Sequence, residues 1–331
     1  MTLQELATRK ILVLDGAMGT MIQRHRLKED DFRNKELTGH GHPLQGNNDL
    51  LSITRPEIIK EIHLEYQKAG SDLIETNTFN STSISQADYG LEDWAYRLNF
   101  VSAQIARQAV DEMSTPDSPR FVVGSIGPTN KTASLSPDVN RPGFRAISFD
   151  ELVTAYTEQT NGLIDGGADV LMVETVFDTL NAKAALFAIQ ETQESKGCNL
   201  PIMVSGTITD ASGRTLSGQT PRAFLVSVSH VPMFSIGFNC ALGADQLLPH
   251  IDVLDHHSPF LVSAHPNAGL PNAMGGYDQS PSEFAELLKE YFDRGLLNIV
   301  GGCCGTTPDH INALAGLAIQ YKPREVKLEV I

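Results

Sequence analysis

Three cysteines stand where soft sulfur ligands could meet one metal ion. Cys303 and Cys304 are adjacent and follow an apolar, strand-like run at 297–300, and Cys240 ends a similar run at 234–240. Two neighbouring thiols cannot complete a zinc site, because tetrahedral zinc takes three or four protein ligands. Together, the three cysteines therefore predict a zinc site. Buried apolar cysteines and a disulfide between the adjacent pair are the alternatives.

A site built from three thiolates would leave a fourth zinc position open to a substrate, as in catalytic rather than structural sites. A substrate thiol bound there would lose its proton. This matters because a free thiol, with a pKa of about 8.5, is only a few per cent thiolate at pH 7. The expected chemistry is attack by a bound thiolate on an electrophilic carbon, with Cys240, Cys303 and Cys304 as the catalytic metal ligands.

Polar residues at other predicted strand ends suit the recognition of an amino acid. Asp15 and Glu174 together could hold an ammonium group, although either alone could equally cap a helix or form a salt bridge at the rim. The run 15–20, which includes Gly16 and Ala17, offers small residues whose backbone N–H groups could receive a carboxylate. An amino acid with a thiol side chain would satisfy all of these features.

Further polar residues are expected near the same rim. Asn77 and Thr207 are predicted to line the substrate site, and Asn267 is predicted to be a fourth zinc ligand while substrate is absent. His265 is either a partner of a metal ligand or a packed histidine, and no catalytic role is predicted for it.

The chain alternates between short apolar runs and stretches long enough for helices. The strand-like runs are 11–15, 72–77, 121–126, 169–174, 201–206, 234–240, 260–265 and 297–302, and the helix-like segments include 56–69, 149–165, 179–194, 282–294 and 308–320. Eight such units predict a single-domain α/β fold, a (β/α)8 TIM barrel, with its site at the C-terminal ends of the strands. An open doubly wound sheet is the alternative, but no G-x-G-x-x-G follows the first strand.

Residues 1–321 are expected to form the barrel domain, and residues 322–331 a C-terminal tail or the start of a linker. The links at 24–48 and 129–148 are long and polar. Loops of this length in a barrel usually shape a site.

Composition excludes several classes of function. With 25 basic and 40 acidic residues the net charge is -15, which argues against nucleic acid or an anionic membrane as a partner. No apolar run suits a signal peptide or approaches the roughly 18 residues of a membrane span. Four cysteines among 331 residues do not indicate a disulfide framework. A cytoplasmic location is therefore expected.

Several motifs at these positions are similar to those of a known family. They are DGAMGT (15–20), ETNTF (75–79), NC (239–240) and GGCCG (301–305), with GPTN (127–130), SPDVN (136–140), ETVFDTLN (174–181) and AHPNAGLPN (264–272) as marks of one branch. From about residue 11 to residue 310, the chain resembles the zinc-dependent homocysteine S-methyltransferases. Within them it resembles the N-terminal homocysteine-binding module of cobalamin-dependent methionine synthases.

This resemblance implies a barrel that binds zinc through Cys240, Cys303 and Cys304, with the homocysteine sulfur as the fourth ligand. It also implies that Asp15 and Glu174 contact the ammonium group of homocysteine and that the segment around Gly16 meets its carboxylate. The implied activity is that of a methyltransferase of methionine biosynthesis, in which the homocysteine thiolate attacks methylcobalamin to give methionine.

The cobalamin-ligating pattern Asp-x-His-x-x-Gly is absent, since its nearest match, which begins at Asp255, has Phe260 in place of the glycine. Methylcobalamin is therefore expected on another domain or chain, as is a folate-binding partner. The first alternative is direct transfer from a small sulfonium or betaine-like donor. Such a cation would need aromatic residues near the zinc, and the rim positions named above hold none. The second alternative is a non-catalytic, zinc-dependent homocysteine-binding protein.

Overall fold

The computed structural model of the protein describes residues 1–209 and 212–326, so the last five residues of the predicted tail lie outside the described residues. Within this part, the strands are β1 (Leu12–Val13), β2 (Leu73–Glu75), β3 (Phe121–Ile126), β4 (Val170–Val176), β5 (Ile202–Gly206), β6 (Ser235–Gly243), β7 (Leu261–Asn267) and β8 (Ile299–Val300). All the pairs between neighbouring strands are parallel.

The sheet closes on itself. The strand order is β1-β8-β7-β6-β5-β4-β3-β2, and a parallel bridge between Leu14 and Leu73 joins its two ends. The N–H group of Asp72 also donates to the Val13 carbonyl (2.7 Å) across this seam. The predicted (β/α)8 TIM barrel is confirmed. The C-terminal ends of all eight strands therefore lie at one rim.

Helices follow every strand. They are α1 (Leu3–Ala7), α2 (Met18–Gln23), α3 (Leu51–Thr54), α4 (Pro56–Ala69), α5 (Ser83–Gln86), α6 (Ala95–Met113), α7 (Phe149–Gly166), α8 (Thr179–Lys196), α9 (Pro221–Val228), α10 (Ala244–His257), α11 (Pro281–Asp293) and α12 (Pro308–Ala318). No helix among the described residues is long and apolar enough to cross a membrane.

Local sequence signals set the helix ends. Ser148 and Ser280 cap α7 and α11, each in a capping box with the glutamate three residues later. Gly70 and Gly167 end α4 and α7 in the left-handed conformation (φ 112° and 101°), which costs glycine little. Each glycine returns the chain to the next strand.

Three strands run further than the sequence indicated. The predicted strands end at Glu174, Cys240 and His265, whereas β4, β6 and β7 end at Val176, Gly243 and Asn267. The pairing of β4 with β5 shifts register between Val173 and Val176, and that of β6 with β7 shifts between Asn239 and Gly243. Pairing resumes beyond each shift, which lengthens the strands and bends their ends at the rim.

The N-terminal end of the barrel is filled. Leu3, Leu6 and Ala7 of α1 pack with inward-facing strand residues such as Leu12 and Leu73. A separate, larger cluster joins the outer faces of the strands to the surrounding helices. The opening of the barrel is therefore at the opposite, C-terminal end.

The two long links contain little regular structure. The link at 24–48 holds two short 3-10 turns (Glu29–Phe32 and Lys35–Leu37), and no helix or strand is present at 129–148. Glu29 ties the first link together, because its carboxylate accepts the N–H groups of Leu44 (3.0 Å) and Gln45 (2.8 Å).

Arg324, within the predicted tail, is anchored to the barrel and only 5% exposed. Its Nε donates to Asp255 Oδ1 (2.7 Å), and its guanidinium also donates to the Ser258 carbonyl (3.1 Å). Its own carbonyl accepts from Asn298 Nδ2 (2.8 Å), just before β8. Residues 322–326 therefore help to hold the strand that leads to Cys303.

Arg324→Ala should lower the free energy of unfolding by about 3 kcal/mol or more, because it removes the guanidinium from a buried carboxylate. Urea unfolding of the variant beside the wild type would measure this change. Arg222→Ala, at an exposed arginine on α9, is the matched control and should change the midpoint little. Equal midpoints for Arg324→Ala and the wild type would contradict this role of the anchor.

Candidate active site

A cavity of about 550 Å³ opens at the C-terminal ends of the strands. Most of the residues predicted from the sequence line it, namely Asp15, Gly16, Ala17, Asn77, Glu174, Cys240, Cys303 and Cys304. The two remaining residues, Thr207 and Asn267, are not among its described lining residues.

The three thiols come together on one side of the cavity. Their Sγ atoms all lie within 4.8 Å of one another, and the Cys240 and Cys304 sulfurs are 3.7 Å apart. Cys240 is supplied by β6, in a left-handed conformation (φ 60°) that turns the strand at this point. Cys303 is held against the end of β7, because its N–H group donates to the Pro266 carbonyl (2.9 Å).

Hydrogen bonds within the cluster favour one thiolate. The Cys240 and Cys303 thiols both donate towards Cys304, which lowers the pKa of Cys304 well below that of a free thiol. The contacts of Cys303 with Cys240 and then with Cys304, together with burial, raise the pKa of Cys303. The Tyr277 side chain lowers the pKa of Cys304 further. The cluster therefore concentrates negative charge on sulfur.

This cluster fits a zinc ion. Tetrahedral ligands at a Zn–S distance of about 2.3 Å lie about 3.8 Å apart, close to the separation of the Cys240 and Cys304 sulfurs. Asn267 lies between Pro266 and Ala268, and the Ala268 N–H group donates to the Cys304 carbonyl (2.9 Å). The Asn267 Oδ1 atom is buried without a hydrogen-bond partner among the described residues. Asn267 therefore lies on the segment whose backbone hydrogen-bonds to Cys303 and Cys304.

Three carboxyl groups face the thiols. Asp15 and Glu174 are buried, and Glu75, at the end of β2, joins them in the lining. Asp15 Oδ2 accepts the Glu75 N–H group (3.1 Å), and Glu174 Oε1 accepts the Ser125 hydroxyl. Asp15 Oδ1 and Glu75 Oε1 are buried with no hydrogen-bond partner in the described part of the chain.

Burial and mutual repulsion disfavour the charges of these groups. Burial, followed by the charge of Glu174, raises the pKa values of Asp15 and Glu75 well above their usual range. Burial likewise raises the pKa of Glu174 to about 7. Among the described lining residues there is no Lys or Arg. A ligand with a positive charge would offset this repulsion and bind tightly here.

The small residues after Asp15 allow close approach of the backbone. A Cβ atom on Gly16 would lie 2.7 Å from Thr306 Oγ1 and 2.9 Å from the Tyr66 ring, so only glycine fits. The Ala17 N–H group donates to Thr306 Oγ1 (3.1 Å). This predicted carboxylate donor therefore already has a partner within the protein.

The other predicted polar residues hold neighbouring segments. Asn77 Nδ2 donates to the Asn48 carbonyl (2.8 Å), which fixes the long first link to the rim. Thr207 is buried, and its N–H group donates to the Val176 carbonyl (2.9 Å) where β4 ends. His265 lines the cavity, and burial lowers the pKa of its imidazole to about 3, so it is neutral at pH 7.

Sequence reasoning missed Tyr277. This residue lies in the loop between β7 and α11, away from any strand end, yet its ring lines the cavity beside Cys304. The rim positions named from the sequence hold no aromatic residue, and Tyr277 is not one of them. The available signal was Gly305, where a Cβ atom would lie 2.3 Å from the Tyr277 ring. Asn239, treated only as part of a motif, was also missed as a residue of the site.

Comparisons with known proteins agree with this arrangement. The family model of the homocysteine S-methyltransferases matches residues 12–318. The metallated form of the homocysteine methyltransferase MmuM from Escherichia coli is 23% identical, with 95% of this chain and 98% of that chain covered and a TM-score of 0.71. Its oxidized form is 22% identical, with coverages of 94% and 97% and a TM-score of 0.71. At these identities, the similarity to solved structures shows the shared fold.

Glu174→Gln should stabilise the protein at high pH. Because burial raises the pKa of this carboxyl from 4.5 to about 7, the folded state loses stability as pH rises through that interval. Glutamine keeps the oxygen that accepts from Ser125 but carries no charge. Urea unfolding without ligand should therefore show the stability of the variant, relative to wild type, increasing by about 3 kcal/mol between pH 4 and pH 8. A pH-independent difference would contradict the raised pKa.

Proposed function

This chain belongs to the homocysteine S-methyltransferase family, and we propose that it binds homocysteine and activates its thiol at a zinc site formed by Cys240, Cys303 and Cys304. The observation that carries this proposal is the meeting of three thiols with three acidic side chains in one cavity. Thiolates are soft ligands for zinc, and carboxylates are partners for an ammonium group. Homocysteine carries both of the groups that this cavity would recognise.

Asp15 and Glu174 are the proposed partners of the homocysteine ammonium group. The positive charge would stabilise the ionised forms of both carboxyls, whose pKa values are raised by burial. Glu75, which lines the same cavity, adds a third carboxyl to this part of the site. The substrate carboxylate is assigned to the segment around Gly16 and Ala17, where the Ala17 N–H group would exchange its present acceptor, Thr306 Oγ1, for the carboxylate.

The three cysteine sulfurs would hold the zinc ion, and Asn267 Oδ1 would complete its ligands while homocysteine is absent. Zinc, when bound, supplies the Lewis acidity that keeps the substrate sulfur deprotonated at neutral pH. The chain itself orients that sulfur through the ammonium contacts on the opposite side of the cavity. Asn77 and Thr207 are assigned to support of the lining, since both hydrogen-bond to neighbouring rim segments.

The proposed methyl donor is methylcobalamin presented by another domain or chain, which makes the reaction that of a methionine synthase. The motifs at 127–130, 174–181 and 264–272 support this branch of the family. The methyl group of the corrinoid would be offered at the opening of the cavity. A folate-binding domain or chain would then recharge the cobalamin, and the product would be methionine.

Tyr277 favours a second candidate, direct transfer from a small sulfonium or betaine-like donor. Its aromatic ring lines the cavity beside Cys304, where it could contact a donor cation. A homocysteine-binding protein without turnover is the third possibility. The three candidate functions differ in which methyl donor, if any, is consumed.

For domain organisation, we keep residues 1–321 as the homocysteine-binding domain and 322–331 as a tail or the start of a linker. Arg324 would act as the point at which this segment leaves the barrel. The cytoplasmic location stays a prediction.

The proposal is tested by zinc content, homocysteine binding and turnover of the same samples. We expect about one zinc per chain, and proton release when homocysteine binds, because the substrate thiol is deprotonated. Cys303→Ala should weaken zinc binding by more than about a hundredfold, since even partners of zinc ligands contribute up to that factor. Cys198→Ala is the matched control, because Cys198 lies outside the cavity lining.

Turnover with methylcobalamin alone would identify the cobalamin branch, and turnover with a sulfonium or betaine donor alone would favour the second candidate. Homocysteine binding with proton release, but without turnover with either donor, would favour the third possibility, a homocysteine-binding protein. A wild-type chain that takes up neither zinc nor homocysteine would contradict all three.

A further inference from the structure

The side chain of Asn239 connects three strands at the edge of the site. It is 2% exposed, and its Oδ1 atom accepts the Ser205 hydroxyl (2.7 Å) from β5 and the Thr175 N–H group (3.1 Å) from β4. Its Nδ2 atom donates to Thr175 Oγ1 (2.8 Å). Asn239 itself belongs to β6 and directly precedes Cys240.

These hydrogen bonds replace backbone pairing that the strands lose. The register of β4 against β5 shifts between Val173 and Val176, and Thr175 within that shift is left-handed, with φ 53°. Left-handed backbone is costly for a β-branched residue and persists only where neighbours hold it. Two hydrogen bonds from one amide hold Thr175 in this conformation. Thr175 follows Glu174, so the amide also sets the position of that carboxylate.

The same amide reaches the thiol cluster. Asn239 Nδ2 lies 3.8 Å from Cys303 Sγ, within the range of an N–H donor to sulfur. Hydrogen bonds of this kind withdraw electron density from metal-bound thiolates. Asn239 therefore supplies an N–H donor to the Cys303 sulfur.

We infer that Asn239 is a positioning residue with two connected roles. Its amide sets the position of Glu174 relative to the thiols, and its N–H group makes the Cys303 sulfur a weaker nucleophile, so that the methyl group goes to the substrate sulfur. This inference rests on the proposed function, because it assumes that metal and homocysteine bind in this cavity. It assigns a role to a residue that touches neither the ammonium group nor the donor.

Two variants separate the N–H donor from the rest of the amide. Asn239→Asp keeps the oxygens that accept from Thr175 and Ser205 but has no N–H group, and Asn239→Ser loses the donor without adding charge. Ser205→Ala is the matched control, because it removes one contact of Oδ1 and leaves both N–H groups. Each protein would be loaded with Co²⁺, whose thiolate charge-transfer absorption reports electron density on the sulfurs.

In the Co²⁺-loaded wild type, iodoacetamide should alkylate Cys303 more slowly than Cys240 or Cys304, as mapped by fragmentation mass spectrometry. Both Asn239 variants should raise the rate at Cys303 about tenfold and shift the charge-transfer band to lower energy. Asn239→Ser should also weaken homocysteine binding, since it loses the amide that holds Thr175 and thereby Glu174. Ser205→Ala should resemble the wild type in the alkylation rate and in the absorption band.

The inference is overturned if Cys303 reacts fastest in the wild type, a result that needs no variant to fold. It is also overturned if the Asn239 variants match Ser205→Ala in alkylation and absorption. In either case a wild type that still binds Co²⁺ and homocysteine leaves the proposed function standing. A wild type that binds neither overturns both.

Discussion

The structure depends on one electrostatic constraint, the collection of acidic groups in a single buried cavity. Three carboxyl groups and three thiols share this space, and no Lys or Arg is among the described lining residues. Burial raises the pKa values of Asp15, Glu75 and Glu174, and the charge of Glu174 raises those of Asp15 and Glu75 further. A cation on each side of the cavity would balance these groups. A zinc ion among the sulfurs and an ammonium group among the carboxylates would therefore make the cavity and its ligands complementary.

The barrel holds these groups because its rim combines a rigid frame with locally distorted strands. Thr175 and Cys240 are left-handed at points where β4 and β6 lose register, and each directly follows a residue of the site, Glu174 or Asn239. Strained backbone of this kind persists where the surrounding structure over-determines it. Here the frame is the closed sheet, plugged at its other end by α1. The distortions turn side chains of neighbouring strands towards a common point.

Much of this arrangement follows from local patterns that the sequence displays. Alternating apolar runs and helix caps predicted the barrel, and the rule that strand ends share one rim brought Cys240, Cys303 and Asp15 together before the structure was known. Contacts made through loops or across strands have no local signature. Tyr277 reaches Cys304 from a loop. Arg324 is buried against the carboxylate of Asp255, which lies 69 residues away in the chain. The expectation for Ala17 did not anticipate Thr306, whose hydroxyl accepts the Ala17 N–H group.

The central claim is that three cysteines of this chain present zinc to the sulfur of homocysteine. X-ray absorption with selenohomocysteine tests it most directly. Absorption at the zinc edge shows whether selenium is a ligand of zinc, and absorption at the selenium edge shows whether zinc is a neighbour of selenium. We predict three sulfur ligands and one oxygen ligand around zinc without substrate, and three sulfurs and one selenium with it. A selenium spectrum without a zinc neighbour would contradict the claim, as would a zinc spectrum that substrate leaves unchanged.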